Sequence, residues 1–310
     1  MKKKPFSCPV YAIPPSYNNS DSLEIGNTIS YLNYLEKGGA NCIMTTAGTS
    51  QFNLLTINEV RMFNLNCAKY FNGSVILGLH PASTNKILEE IDWLSSNLST
   101  EESKRAVILL LFPERYYSDN QLLDYFGNIA DNSPFPIMIH ANSLKKGPGG
   151  TFEYTGKICT ELAKHSNIVG MKEESSSWDI GYKLCQEVRD ADEEFGIIVA
   201  GGSQKRYLAL ETAGANSFLT GIGNIFPEIA ENFYDNTHIN NKSAKELVRK
   251  YEEPFFKVFM KIGWHAAMRE GLKQKGFLSY NRDPFVEISQ ASKDEIKRIL
   301  KSIEINLKRK

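Results

Sequence analysis

The chain lacks most of the features that would assign a function at a glance. Its five cysteines, Cys8, Cys42, Cys67, Cys159 and Cys185, are odd in number, widely spaced and without a C-x-x-C pair. That argues against a zinc cluster or a disulfide framework and fits reduced thiols packed in a cytoplasmic protein. Long apolar runs are also missing. The longest spans residues 106–112, far short of the roughly 20 residues a membrane helix needs. There is no charge excess of either sign, with 36 basic and 36 acidic residues. Such a balance gives no support to binding nucleic acid or an anionic membrane. The histidines form neither H-x-H nor H-x-x-x-H, and no Asp and His residues cluster, so no metal-ligand pattern is present. No G-x-G-x-x-G follows the first apolar segment, which weakens an open dinucleotide-binding sheet. Lys2, Lys3 and Lys4 are basic, but Pro9, Pro14 and Pro15 break the segment after them. No signal-peptide core is therefore expected there.

What is present is a steady alternation of short apolar runs and helical faces. Runs at residues 8–13, 41–45, 73–79, 106–112, 136–139, 168–172, 196–200 and 217–221 read as strands. Between them apolar residues recur at helical spacing, as in Val60, Phe63 and Cys67, or Ile180, Leu184 and Val188, or Ile225, Ile229 and Phe233. Thr56 with Glu59, and Ser118 with Gln121, have the spacing of capping boxes. Eight strand–helix pairs without a break in composition predict an α/β protein, a (β/α)8 TIM barrel over residues 1–240. Residues 241–310 carry further helical faces, including Tyr251, Phe255, Val258 and Ile262. They predict a C-terminal helical extension packed on the barrel or on another subunit.

In such a barrel the chemistry sits at the C-terminal strand ends. The sixth strand ends on Lys172, in Ile168-Val169-Gly170-Met171-Lys172-Glu173-Glu174. A lysine at the mouth of an apolar strand is an unusual placement, because ammonium groups resist burial. Desolvated lysines are also the ones that attack carbonyl carbon and form Schiff bases. The plainer reading is a lysine that pairs with Glu173 or Glu174, or snorkels to water. The second strand leads to Gly48-Thr49-Ser50, whose hydroxyls and backbone N–H groups suit a carboxylate. The fifth ends near His140, which could move protons in the mouth or simply hold structure. The seventh ends in Gly201-Gly202-Ser203, where glycine lets backbone approach a ligand.

Together these strand ends resemble the dihydrodipicolinate synthase / N-acetylneuraminate lyase family of class I aldolases. The strongest match is Ile168-Val169-Gly170-Met171-Lys172-Glu173, similar to the family's Schiff-base lysine strand. Ala47-Gly48-Thr49-Ser50-Gln51 corresponds to its G-T/S-T-G-E loop, and Gly201-Gly202-Ser203 to its short glycine motif. The resemblance implies an imine between Lys172 and pyruvate or a related 2-oxo acid, with a carbon–carbon bond then made or broken. It implies catalytic roles for Lys172 and His140. The expected substrate-binding set is Gly48, Thr49, Ser50, Gly201, Leu219 and Lys145. It also implies a homo-oligomer, a tetramer or a dimer. No metal or organic cofactor is expected, because the lysine supplies the electron sink.

The departures are specific. Gly48 stands where the family has the first loop hydroxyl, leaving Thr49 as the second. His140 replaces the proton-shuttling tyrosine, and Lys145 stands where the synthases carry an arginine for the second substrate's carboxylate. Three readings stay open on sequence alone. They are a lyase (aldolase or sugar-acid dehydratase), a non-catalytic binder of a small oxo acid, and a barrel whose lysine only pairs with Glu173.

Overall fold

A computed structural model describes residues 7–45, 48–284 and 287–308. Thr46 and Ala47, part of the loop after the second strand, lie outside the described residues. The barrel strands in chain order are β1 (Val10–Ala12), β2 (Cys42–Met44), β3 (Ser74–Gly78), β4 (Ala106–Leu110) and β5 (Ile137–Asn142). A two-stranded ribbon, β6 (Leu144–Lys145) with β7 (Thr151–Phe152), follows, and the barrel resumes with β8 (Ile168–Glu174), β9 (Gly196–Val199) and β10 (Ser217–Thr220). All eight barrel strands pair in parallel, and the sheet closes on itself through β1 and β10. The fold is the expected (β/α)8 barrel.

The helices between strands are α1 (Ile25–Lys37), α2 (Ile57–Tyr70), α3 (Thr84–Asn97), α4 (Thr100–Arg105), α5 (Asp119–Asn132), α6 (Gly156–Ala163), α7 (Trp178–Ala191), α8 (Ser203–Leu210) and α9 (Pro227–Ile239). Thr56 and Glu59 form the reciprocal capping box at the start of α2. Ser118 caps α5 through the Gln121 N–H at 3.2 Å, without a bond back from Gln121 to the Ser118 N–H. The short α4 was not expected. Its own capping box, Ser99 with Glu102, had the signature spacing. The ribbon β6–β7 occupies what reads in the sequence as a plain polar loop.

Strand side chains alternate between two cores. Val10, Cys42, Met44, Ile76, Val107, Leu109, Met138, Val169 and Ile198 fill the barrel interior. Tyr11, Ile43, Val75, Leu77, Ile108, Ile139, Met171, Ile197 and Phe218 pack outward under the helices. Each such burial stabilises the fold by roughly 1.5–3 kcal/mol before entropy is counted. In β8 the alternation slips. Ile137 pairs with Ile168, but Met138 pairs with Gly170, so Val169 is an extra residue, a β-bulge. Beyond it Met171 and Glu173 face the helices, while Lys172 and Glu174 face the barrel mouth.

The chain continues through α10 (Asn241–Leu247), a π-helical turn at Val248–Glu252, α11 (Glu253–Ile262), α12 (Trp264–Gln274) and α13 (Gln290–Lys308). Gly263, at φ 111°, breaks α11 from α12. Among the described residues no helix is long and apolar enough to cross a membrane.

Next to the bulge, β8 runs close to β9 at Gly170. A Cβ on Gly170 would lie 2.6 Å from the carbonyl oxygen of Gly196, where only backbone can give way. Gly170→Ala should therefore destabilise the protein by about 1–3 kcal/mol, the usual cost of overpacking. A lowered urea midpoint at unchanged slope would show it; an unchanged midpoint would contradict this close approach.

Candidate active site

Lys172 and His140 are direct neighbours across the β5–β8 pairing. Both side chains are buried, Lys172 to 2 % exposure. The Lys172 ammonium donates to Glu174 Oε2 at 2.7 Å and lies 3.0 Å from His140 Nε2. His140 Nε2 is itself 2.7 Å from the same Glu174 oxygen. Three polar groups from two adjacent strands thus converge on one point. Burial and then the Lys172 charge lower the His140 imidazole to about 4, against the opposing pull of Glu174. Burial alone would raise the Glu174 carboxyl. The Lys172 ammonium and the bond from His140 outweigh it and hold Glu174 well below the usual carboxylate range. At neutral pH the imidazole is therefore neutral and the carboxylate charged. Glu174 Oε2 is the proton acceptor in direct contact with the lysine, and His140 Nε2 shares that oxygen.

Glu173 has a different job. It points outward and binds the buried Arg206 of α8 at 2.8 and 3.0 Å, and accepts from the Ser175 N–H. Gly181 of α7 leaves room for this pair; a Cβ there would sit 2.8 Å from Glu173 and 2.9 Å from Arg206. The reading in which Lys172 pairs with Glu173 is therefore corrected. The bulge puts those two side chains on opposite faces of the strand, and the lysine's carboxylate partner is Glu174.

Lys172 and Glu174 open into a cavity of about 400 Å³ at the C-terminal mouth of the barrel. Gly48, Thr49, Gly201 and Leu219, all named from the sequence, line it. Ser50 sits beneath the loop, fully buried, with no partner for its hydroxyl among the described residues. Lys145 is exposed on the β6–β7 ribbon and is not among the lining residues. The C-terminal helices add a wall: Phe256 and Met260 of α11, Trp264 and His265 of α12. Sequence reading treated this region as packing and missed these residues. Their amphipathic pattern showed one buried face, but not what that face meets. Trp264 donates through Nε1 to Thr49 Oγ1 at 3.4 Å, so the tail and the second-strand loop meet across the mouth. Burial lowers His265 from its ordinary value.

One further buried carboxylate shapes the mouth. Glu252 accepts from the backbone N–H groups of Gln204 and Lys205 at 2.8 and 3.0 Å. It fills the N-terminus of α8, beside Gly201 and Ser203, and burial pushes its carboxyl up to about 8. Among the described residues no group of three or more His, Cys, Asp or Glu is placed to hold a metal ion. A wider depression of about 690 Å³ lies at the opposite end of the barrel, around Arg189 and Tyr207. Arg189 there is committed to the Gly214 and Phe195 carbonyls and to Asn216, far from the convergent groups.

Known proteins resemble the chain over most of its length. The 4-hydroxy-tetrahydrodipicolinate synthase of Archaeoglobus fulgidus is 19 % identical over 95 % of this chain and 97 % of its own length. That of Ligilactobacillus salivarius is 22 % identical over 79 % of this chain and 82 % of its own. Among solved structures, the Thermotoga maritima dihydrodipicolinate synthase superposes with a TM-score of 0.81 at 18 % identity, covering 95 % of this chain and 98 % of that one. The E. coli K12 prophage protein YagE, solved with pyruvate, gives a TM-score of 0.82 at 16 % identity, covering 96 % and 99 %. The model of the dihydrodipicolinate synthetase family matches residues 6–303, and the chain belongs to that family.

Proposed function

We propose that the protein is a lyase that forms an imine between Lys172 and a 2-oxo acid of the pyruvate type, then makes or breaks a carbon–carbon bond. The observation that carries this reading is a lysine buried to 2 % exposure, opening into a cavity and bonded to a carboxylate that His140 also contacts. The family membership and the YagE–pyruvate likeness support it.

In this reading each step uses a group already in place. Glu174, paired with His140, takes a proton from Nζ, and the free amine attacks the substrate's C2 carbonyl carbon. Proton transfer from nitrogen to oxygen gives a hydroxyl, which leaves as water with the proton that the His140–Glu174 pair returns. The same pair takes a C3 proton from the imine to give an enamine, whose carbon attacks the second substrate; the reverse order cleaves. The Thr49 hydroxyl accepts from Trp264 and keeps its own proton for the 2-oxo acid's carboxylate. The Gly48–Ser50 backbone N–H groups stand beside it. His140 thus takes the role of the family's tyrosine, with Glu174 as its partner.

Pyruvate with borohydride should leave a reduced adduct on Lys172, visible by mass, and none on Lys172→Ala. No adduct across a panel of 2-oxo acids would sink the proposal, and an adduct without turnover would favour a binding role. Glu174→Gln should slow adduct formation about 10²-fold, the usual scale of a lost proton acceptor. A linked pH effect follows from His140. Its folded-state value of about 4 lies below the ~6.5 of an unfolded histidine. Between those values the unfolded chain binds a proton that the folded chain does not. Stability should fall as pH falls through that window, by on the order of 3 kcal/mol. Urea unfolding at pH 7 and pH 4.5 should show a smaller loss for His140→Gln; an equal loss would refute the buried neutral imidazole.

A further inference from the structure

From the walls of the cavity we infer that the second substrate is an uncharged aromatic aldehyde. The inference rests on the Schiff-base reading and names what the enamine meets. Four observations converge on it.

First, the side of the cavity built from β10, α11 and α12 is largely apolar. Leu219, Phe256, Met260 and Trp264 line it, and Met260 is 61 % exposed at the rim. Phe256 and Trp264 stack at 5.2 Å with rings 6° from parallel. They press against Gly221 at the end of β10, where a Cβ would meet Trp264 at 2.6 Å and Phe256 at 2.9 Å. The absence of a side chain there lets the rings reach the mouth, and such a stacked pair offers a planar ligand a π-face. Second, Lys172 is the only Lys or Arg among the described lining residues, and its charge is already paired with Glu174. Third, the Glu174 carboxylate itself lines the cavity and repels a second anion. Fourth, the helix N-terminus after the seventh barrel strand, where barrels commonly seat phosphate, is already filled by Glu252.

A phosphorylated or carboxylated aldehyde would meet a carboxylate, an apolar wall and an occupied helix end. An aromatic aldehyde meets two rings, and His265 stands beside them as a polar group for its carbonyl. The reaction balances without a co-reactant. The enamine carbon of the Lys172-bound pyruvate bonds to the aldehyde carbon, and the aldehyde oxygen becomes a hydroxyl with the proton that the His140–Glu174 pair removed from C3. Water then hydrolyses the imine, releasing a 4-aryl-4-hydroxy-2-oxo acid and the free lysine.

The test supplies the whole protein with pyruvate and, separately, benzaldehyde, glyoxylate, succinic semialdehyde or glyceraldehyde 3-phosphate, and measures the hydroxy-oxo acid by mass. Benzaldehyde should exceed each anionic aldehyde at least tenfold in kcat/KM. Trp264→Ala should cut the benzaldehyde value about tenfold. Met260→Lys should move the ratio tenfold toward the anionic aldehydes. If the pyruvate adduct forms but an anionic aldehyde is preferred, or benzaldehyde gives no product, this inference falls and the Schiff-base reading stands. If no adduct forms with any 2-oxo acid, both fall.

Discussion

One extra residue in β8 governs which way Lys172 points. A strand alternates its side chains with a period of two, so inserting a residue exchanges the faces of everything beyond it. Val169 fills the barrel interior, yet Met171 packs outside and Lys172 inside, because the bulge at Val169 resets the count. Without it the strand would present Met171 and Glu173 to the mouth and bury Lys172 under the helices. Gly170, beside the bulge, answers to a different neighbour. The strand there passes so close to Gly196 that a side chain has no room.

The charges follow from that choice of face. A buried ammonium is tolerable only with a partner. Glu174, two residues on and on the same face, supplies it, with His140 completing the contact from β5. Glu173 faces the other way and requires its own partner, which Arg206 provides from α8. Neighbouring glutamates in the sequence therefore serve unrelated ends, one facing the mouth beside Lys172 and one tying β8 to α8. Glu252, whose carboxyl burial pushes up to about 8, is held by backbone donors of α8 instead of a charged partner. It ties the C-terminal segment to the rim of the mouth.

Much of this was legible in the chain. The eight strands, the capping box at Thr56 and the placement of Lys172 at a barrel mouth all follow from local periodicity. Errors gathered where polar residues sit in strands. β5 runs to Asn142 and β8 to Glu174, past the ends that apolar pattern suggests. Mouth residues such as His140 and Glu174 carry no hydrophobic signal. The family resemblance implied that Lys145 binds substrate, but the β6–β7 ribbon leaves it exposed and outside the lining.

By itself the sequence determined the barrel and the lysine within it, because alternation of period 2 and period 3.6 is a local property that survives without partners. Tertiary structure alone decided three things. It set the bulge that aims Lys172 inward, the pairing of Lys172 with Glu174 rather than Glu173, and the aromatic wall from α11 and α12. Each depends on strand register or on contact between segments far apart in the chain. An amphipathic pattern states that a face will be buried, but only packing says against what.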